Sequence, residues 1–348
     1  MLKLLDRKTI TIAKALVITS VVLGHVLEAL LIKGDGNIFI EGWYKSIYLF
    51  HMPFYFILSG FLFKGAQPKK KYLIKKCKHL LIPYATWLLI FNIKAIASLF
   101  FNLVQGNLVG DKALFYKQHF ISQLYGGMEV HGVQMILWFP MCLFFTQQLA
   151  NYLLNQFEKK NSIILVIALT YLLSYINQYF FPSFYLPLAI NVVCGSLPLF
   201  FLGYYIKKNP LNLGSFWTLV ALFFVACFIL FTYQYPIDFH MRAANYGIPF
   251  ISTLSALGGF FLVLLISKYI SRSNYTFRVL QYVGNSSMTI MYLHAFILVQ
   301  LYALGIYNIY LLLIIGLFIP VFIHLTMSRV NILSKLFLGE VKKPLNNN

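Results

Sequence analysis

The stretch KALVITSVVLGH is mostly apolar, but it begins with a lysine, Lys14, and ends with a histidine, His25. The two are eleven positions apart, so a helix would place them on nearly the same face, about 16 Å apart along its axis. Glu28 follows His25 by three positions and would share that face. Histidine can accept a proton near neutral pH, and a lysine ammonium attracts anions. The pattern therefore indicates a general base on the same helix face as an anion site.

Two further histidines lie inside apolar segments. His51 is the second residue of FHMPFYFILSGFLF, and His294 ends SSMTIMYLH. His51 enters its segment from the side opposite to Lys14 and is predicted to lie at a depth comparable to that of His25. Ionisable groups are costly within a membrane, so several of them together predict a cavity that water can enter. Taken singly, Lys14 can extend to the headgroups, Glu28 can mark the interface, and His294 can bond a neighbouring helix.

The sequence lacks the motifs of several other chemistries. No apolar segment holds the acidic pair expected of a proton or cation pathway, and neither a P-loop nor an HExxH sequence is present. Histidines can hold zinc in principle, but no two of the three above have the short spacing of a ligand pair, so no metal is expected. The four cysteines lie far apart and predict no disulfide framework.

The elements that carry these residues are predicted to be transmembrane helices. Of 348 residues, 60% are hydrophobic and only 11% are charged, and the mean hydropathy is +0.75. Apolar stretches of about 20 residues, enough to cross a bilayer core, recur along the chain. The sequence therefore predicts an all-α, polytopic integral membrane helical bundle. The ten predicted spans are residues 10–32, 43–63, 79–104, 133–155, 162–180, 185–206, 213–233, 248–268, 282–304 and 308–328.

The net charge of +19 is explained by its distribution along the chain. With ten spans, the side that holds both termini carries 21 of the 28 lysines and arginines, and the opposite side carries five. Basic residues concentrate on the cytoplasmic side of membrane proteins, so both termini are predicted to be cytoplasmic. The basicity then reflects topology and attraction to anionic membrane lipids, and no nucleic-acid partner is expected. Residues 1–335 are predicted to form one transmembrane domain, followed by a polar cytoplasmic tail at 336–348.

Four sequence blocks occur in a recognisable order: KALVITSVVLGH (14–25), FHMPFYFILSGFLF (50–63), LWFPMCLF (137–144) and YVGNSSMTIMYLH (282–294). In this order they resemble blocks of the acyltransferase-3 family of integral membrane proteins, and in particular its stand-alone members similar to fucose and polysaccharide O-acetylases. The resemblance runs over nearly the whole chain. Two positions differ, because many members carry arginine where this chain has Lys14 and an acidic residue where it has Thr11.

The resemblance implies transfer of an acyl group, most often acetyl from cytoplasmic acetyl-CoA, to a hydroxyl of a cell-envelope or exopolysaccharide sugar. It also implies a multi-pass enzyme of a bacterial cytoplasmic membrane. In this reaction His25 is expected to deprotonate the acceptor hydroxyl, with Glu28 orienting the imidazole. His51 is expected to polarise the thioester carbonyl or to relay a proton.

Other polar residues are expected to bind the two substrates. Lys14, together with Lys75 or Lys76 of the lysine-rich loop, would attract the phosphates of acyl-CoA. The long loop at 105–132 is too apolar for a solvated linker and is expected to fold back against the protein near the sugar. The residues expected to contact the sugar are Trp138, His131 and His294.

Three alternatives stay open at this point. A chain of ten spans with a central cavity also suits a transporter or flippase for an envelope glycan or its lipid-linked precursor. An enzyme that transfers succinyl or another acyl group in place of acetyl is a further variant, because no residue decides between them. A homo-oligomer is compatible with the sequence.

Overall fold

The computed structural model of the chain describes residues 6–125, 132–209, 213–233 and 239–340. Within these ranges the backbone forms helices and connecting segments and no β-strand, which confirms the predicted all-α class. A helix pairs its backbone amides and carbonyls internally, as apolar surroundings require. The expectation for His131 lies outside the described residues.

The helices match most of the predicted apolar segments. In the described ranges they are α1 (Arg7–Lys33), α2 (Ile38–Leu62), α3 (Lys69–Lys76), α4 (Ile82–Val104), α5 (Asp111–Tyr125), α6 (Trp138–Gln156), α7 (Lys160–Phe180), α8 (Val193–Lys208), α9 (Leu213–Tyr233), α10 (Ile251–Ile270), α11 (Asn274–Asn285), α12 (Ser287–Ala303), α13 (Ile309–Arg329) and α14 (Asn331–Leu333). Short π-helical or 3₁₀ turns precede α4, α6 and α8, at Cys77–Leu81, Gly132–Leu137 and Pro187–Val192.

Several of these helices are suited to a bilayer. Among the described residues, seven segments are long and apolar enough to cross it, and an eighth is added if the bent pair α11 and α12 forms one span. The outward faces of α4, α7 and α13 expose large apolar side chains, such as Phe100, Leu165 and Phe322, which is the surface that lipid requires. The chain is therefore a membrane protein. Ten spans and cytoplasmic termini remain predictions.

The pair α11 and α12 differs from the single span predicted at residues 282–304. The two axes are bent by 68°, and the break lies at Ser286, whose backbone (φ −86°, ψ 6°) leaves the helical range. Gly284 just before it lies against α1, where a Cβ atom would collide with the carbonyl oxygen of Thr11. Because of this close crossing and the bend, α12 begins at Ser287 in the buried interior.

Helix α1 occupies the interior of the bundle. It packs against α2, α10, α11, α12 and α13, and Ile12, Ala13, Val17 and Val22 on different sides of it are fully buried. Because other helices surround α1, its polar side chains face space that protein atoms line.

The position of α2 depends on close contact with α8. A Cβ atom at Gly60 of α2 would collide with the carbonyl oxygen of Phe200, and one at Gly203 of α8 would collide with the carbonyl oxygen of Ile57. Small residues of this kind allow two helix backbones to touch. This contact fixes the height of α2, and therefore of His51, relative to the neighbouring helices.

The start of α1 is held by its N-cap residue, Asp6. The Asp6 carboxylate accepts a hydrogen bond from the backbone N–H of Thr9 at 2.7 Å and another from Lys268 Nζ of α10 at 2.7 Å. Partial burial alone would raise the pKa of Asp6, but the hydrogen bonds from Lys268 and Thr9 lower it to about 2. The carboxylate therefore stabilises the start of α1 above the ordinary aspartate pKa, and this contribution is lost as pH falls towards 2.

Candidate active site

Three of the predicted histidines meet in one cleft. We call it the histidine cleft. Its polar lining comes from α1, α2, α12 and the segment before α10. The polar residues that define it are His25, Glu28, Tyr48, His51, His240, Arg242 and His294. Trp138, at the start of α6, also lines it and is 9% exposed.

Glu28 connects two side chains of the histidine cleft. Its Oε2 atom lies 3.0 Å from His25 Nδ1 and accepts a hydrogen bond of 2.9 Å from the hydroxyl of Tyr48. An ionised carboxylate only accepts hydrogen bonds, so a neutral His25 carries its proton on Nδ1 and its lone pair on Nε2. A carboxylate that fixes the imidazole tautomer in this way leaves the other ring nitrogen able to act as a base.

His51 and His294 are held in the same tautomer by backbone carbonyls. His51 Nδ1 donates to the carbonyl oxygen of Ile47 at 2.8 Å, and His294 Nδ1 donates to that of Ile290 at 2.8 Å. Both rings are buried, and His294 Nε2 is a buried atom with no hydrogen-bond partner among the described residues. The His25 and His294 ring centroids are 5.1 Å apart. Besides His240, the cleft thus gathers the imidazoles of His25, His51 and His294, which carry a lone pair on Nε2 when they are neutral.

Three residues of the histidine cleft were not singled out from the sequence. They are Tyr48, whose ring centroid lies 4.7 Å from that of His51 and 5.1 Å from that of His240, together with His240 and Arg242. Tyr48 precedes His51 by three positions, and this helical spacing is a signal that identifies it. His240 and Arg242 come from an irregular segment around a short 3₁₀ turn, where no periodicity relates them to His25.

The long loop expected to fold back contains the helix α5 in its described part. Asn92 of α4 anchors it, because its Oδ1 atom accepts hydrogen bonds from Gln123 at 2.7 Å and from Gln134 at 3.2 Å, and lies 3.0 Å from His119 Nε2. Met135 follows Gln134 directly and lines the histidine cleft. The 3₁₀ turn that follows the loop therefore reaches the cleft, while His119 belongs to the anchoring network.

A second cleft lies towards the lysine-rich end of the bundle. We call it the lysine cleft. It is lined by Lys14, Lys75 and Lys76, the three lysines expected to bind the donor, and by Lys64. No aspartate or glutamate belongs to its described lining, and none of the ion pairs between described residues involves these lysines. This cleft is suited to an anion.

The two clefts lie in line along the same helices. Helix α1 contributes Lys14 to the lysine cleft and His25 to the histidine cleft, and α2 contributes Ser59 and His51 in the same way. Phe139 of α6 lines both clefts. The three helices therefore connect an anion site to a group of imidazoles, with an aromatic side chain at the junction.

A comparison with known protein families gives one match over most of the chain. Residues 7–328 match the family model of the acyltransferase-3 type, which is described as an acyltransferase domain. The chain belongs to the acyltransferase-3 family. This result confirms the resemblance identified from the sequence blocks, and both clefts lie within the matched acyltransferase domain.

Two curated relatives match a shorter part of the acyltransferase domain. The nodulation protein NolL of Mesorhizobium japonicum is 36% identical over 87 residues, which is 24% of this chain and 23% of the relative. The nodulation protein NolL of Sinorhizobium fredii is 30% identical over 95 residues, or 26% of each chain. The matches thus span about a quarter of the length of these relatives. No solved structure matches the chain.

The described residues contain no group of three histidine, cysteine or acidic side chains placed to hold a metal ion. In the histidine cleft, the His51 and His294 Nδ1 atoms are occupied by backbone carbonyls. The charged and titratable groups that line the two clefts include imidazoles, a carboxylate, a guanidinium and ammonium groups.

Proposed function

We propose that the chain is a membrane O-acyltransferase that moves an acetyl group from cytoplasmic acetyl-CoA to a hydroxyl of a cell-envelope or exopolysaccharide sugar. The observation that carries this proposal is the alignment of the lysine cleft and the histidine cleft along α1, α2 and α6, joined at Phe139. A donor with an anionic head and a long arm fits such a path. Its head binds among lysines while its thioester reaches the imidazoles.

The lysine cleft binds the phosphates of the donor. Lys14, Lys64, Lys75 and Lys76 line it, and no described acidic side chain of the lining competes for them. Ser287, the first residue of α12, also lines it. Free N–H groups at the start of a helix add positive potential, so the bend between α11 and α12 supports the same assignment.

The histidine cleft performs the acyl transfer. The Nε2 lone pair of His25 takes the proton of the sugar hydroxyl as its oxygen attacks the thioester carbonyl carbon, and Glu28 stabilises the imidazolium that forms. The carbon–sulfur bond then breaks, and the proton passes to the departing thiolate to give free CoA and the sugar ester.

His51 serves as a proton relay in this scheme. Its Nδ1 proton is bonded to the carbonyl oxygen of Ile47, so the neutral ring has no N–H left at Nε2 to polarise the thioester carbonyl. It can instead accept the proton from His25 and return it to the thiolate. Trp138 and His294 line the same cleft and contact the sugar, for which the indole offers a flat apolar face.

The proposed location is the cytoplasmic membrane of a bacterial cell, with ten spans and both termini in the cytoplasm. The excess of lysine and arginine on the terminal side supports this orientation, since it places the lysine cleft next to the cytoplasmic pool of acetyl-CoA.

The proposal is tested by transfer of labelled acetyl groups. Membrane vesicles with or without the chain are supplied with acetyl-CoA labelled in the acetyl group, and with envelope glycan stripped of its esters by mild alkali. We expect alkali-labile label in the glycan and an equal amount of free CoA, only when the chain is present. Movement of glycan across the vesicle membrane without label would contradict the proposal and favour a transporter. Parallel reactions with succinyl-CoA identify the acyl group.

Replacement of Tyr48 by phenylalanine is expected to lower kcat about tenfold and to leave the KM for acetyl-CoA unchanged. The hydroxyl of Tyr48 holds Glu28, a hydrogen bond to a charged group of this kind contributes at least about 1.5 kcal/mol, and Tyr48 does not line the lysine cleft. Tyr175→Phe is the matched control, because the Tyr175 hydroxyl donates to a backbone carbonyl, that of Tyr246, away from both clefts. Equal kcat values for Tyr48→Phe and the wild type would refute this role.

A further inference from the structure

Three buried polar atoms without a hydrogen-bond partner belong to side chains that line the lysine cleft. Among the described residues these are Gln147 Oε1 and the hydroxyl oxygens of Tyr55 and Tyr72. A buried polar atom that lacks a partner is destabilising, because it has given up its hydrogen bonds to water without gaining others. Three such atoms around one cleft indicate that its occupant, and not the protein alone, supplies the missing hydrogen bonds.

Gln147 is the most informative of the three. It lies near the middle of α6, is only 6% exposed, and donates from Nε2 to Ser59 Oγ of α2 at 2.6 Å. One half of its amide is thus fixed by Ser59, and the other half has no partner among the described residues. Gln148 beside it also holds a buried amide atom without a partner, but it does not line the lysine cleft.

Gln147 lies between the lysines and the histidines. Phe139, Leu143 and Gln147 follow one another at intervals of four positions on one face of α6, about 12 Å from first to last, and all three line the lysine cleft. On α2, Ser59 and Tyr55 line it at the same interval. The path from the ammonium groups to Phe139 is therefore mainly apolar, with one polar step at Gln147 and Ser59 and a hydroxyl at Tyr55.

We propose that Gln147 and Tyr55 recognise a secondary amide in the arm of the acyl donor. The pantetheine arm of CoA carries amides of this kind. The free atom of the Gln147 amide bonds the amide of the arm, and the Tyr55 hydroxyl donates to its carbonyl oxygen. Ser59 holds Gln147 in place. This inference rests on the proposed function. It gives the lysine cleft two binding functions: the lysines bind the phosphates of the donor, and Gln147 distinguishes an amide-bearing arm from a plain alkyl chain.

The test compares Gln147→Met with the matched control Gln148→Met in the full chain, in membrane vesicles. Both substitutions remove one buried amide from adjacent positions of α6 and keep the length of the side chain. We expect the KM for acetyl-CoA to rise about tenfold in Gln147→Met, as the loss of one buried hydrogen bond implies. The kcat of this variant is expected to stay near the wild-type value, and Gln148→Met should match the wild type in both constants.

Inhibition by two fragments of the donor shows which part of acetyl-CoA Gln147 contacts. Pantetheine carries the amides without the nucleotide, and adenosine 3′,5′-diphosphate carries phosphates without an amide. Inhibition by pantetheine should weaken about tenfold in Gln147→Met, while inhibition by adenosine 3′,5′-diphosphate should stay unchanged. An unchanged KM for acetyl-CoA, or equal weakening of both inhibitors, would overturn the inference. If the wild type transfers no acetyl group, the proposed function fails instead, and the two failures are therefore distinct.

Discussion

Replacement of His25 by glutamine is expected to lower kcat for acetyl transfer by roughly two to four orders of magnitude, the usual contribution of a general base. Glutamine retains a polar side chain of similar reach but has no basic nitrogen that can take the proton of the acceptor hydroxyl. The KM for acetyl-CoA should change little, because His25 lines the histidine cleft and not the lysine cleft. The measurement is the rate of labelled ester formation at saturating acetyl-CoA, with each variant at matched abundance in vesicles.

His324→Gln provides the control for His25→Gln. His324 of α13 is half-buried, bonds the Thr289 hydroxyl through Nδ1 at 2.9 Å, and lines neither cleft. Its replacement removes a histidine of similar burial and should leave kcat near the wild-type value. If His25→Gln transfers acetyl at the wild-type rate, His25 is not the base.

The positions of polar residues along a single helix can be predicted from the sequence. The pitch of an α-helix fixes the distance between Lys14 and His25, so their eleven-position spacing is enough to predict two sites separated along α1. The same reasoning places His51 on α2, because the length of the apolar run sets its depth. Predictions of this kind can be made from the sequence because they depend on one element at a time.

Contacts between helices are harder to predict from the sequence, because they depend on how closely two backbones approach. Gly24 of α1 lies against α2, where a Cβ atom would be 3.2 Å from the ring of Tyr48. This approach lets the Tyr48 hydroxyl reach Glu28, and no spacing within either helix contains that information. The bend at Ser286 also lies at a helix contact, because Gly284 just before it touches the backbone of α1.

Gln147 illustrates a further limit of the sequence. In the sequence it is one of two adjacent glutamines in a mostly apolar helix, and nothing distinguishes it from Gln148. Only the packing of α6 against α2 shows that Gln147 bonds Ser59 and lines the lysine cleft. The role of a polar residue in an apolar helix can be inferred when its hydrogen-bond partner and the neighbouring cavity are known.

Replacement of Lys14 by methionine is expected to raise the KM for acetyl-CoA by roughly 10- to 100-fold, as the loss of a charge-assisted hydrogen bond to a phosphate implies. Methionine keeps most of the aliphatic stem and removes only the ammonium group, which is half-buried and lines the lysine cleft. An interaction between opposite charges weakens as salt screens it. The KM of the wild type should therefore rise with ionic strength more steeply than the KM of Lys14→Met.

Two control variants test whether the KM depends on the position of the Lys14 charge or only on the presence of a positive charge. Lys112→Met changes the net charge equally but alters an exposed lysine of α5 outside the lysine cleft, and its KM should equal that of the wild type. Lys14→Arg keeps the positive charge and should retain a KM within a few-fold of the wild type, since a guanidinium also binds phosphate. A KM that stays constant in Lys14→Met at low salt would remove Lys14 from the donor site. A rise in Lys14→Arg as large as in Lys14→Met would show that the shape of the lysine, and not its charge, is what the cleft requires.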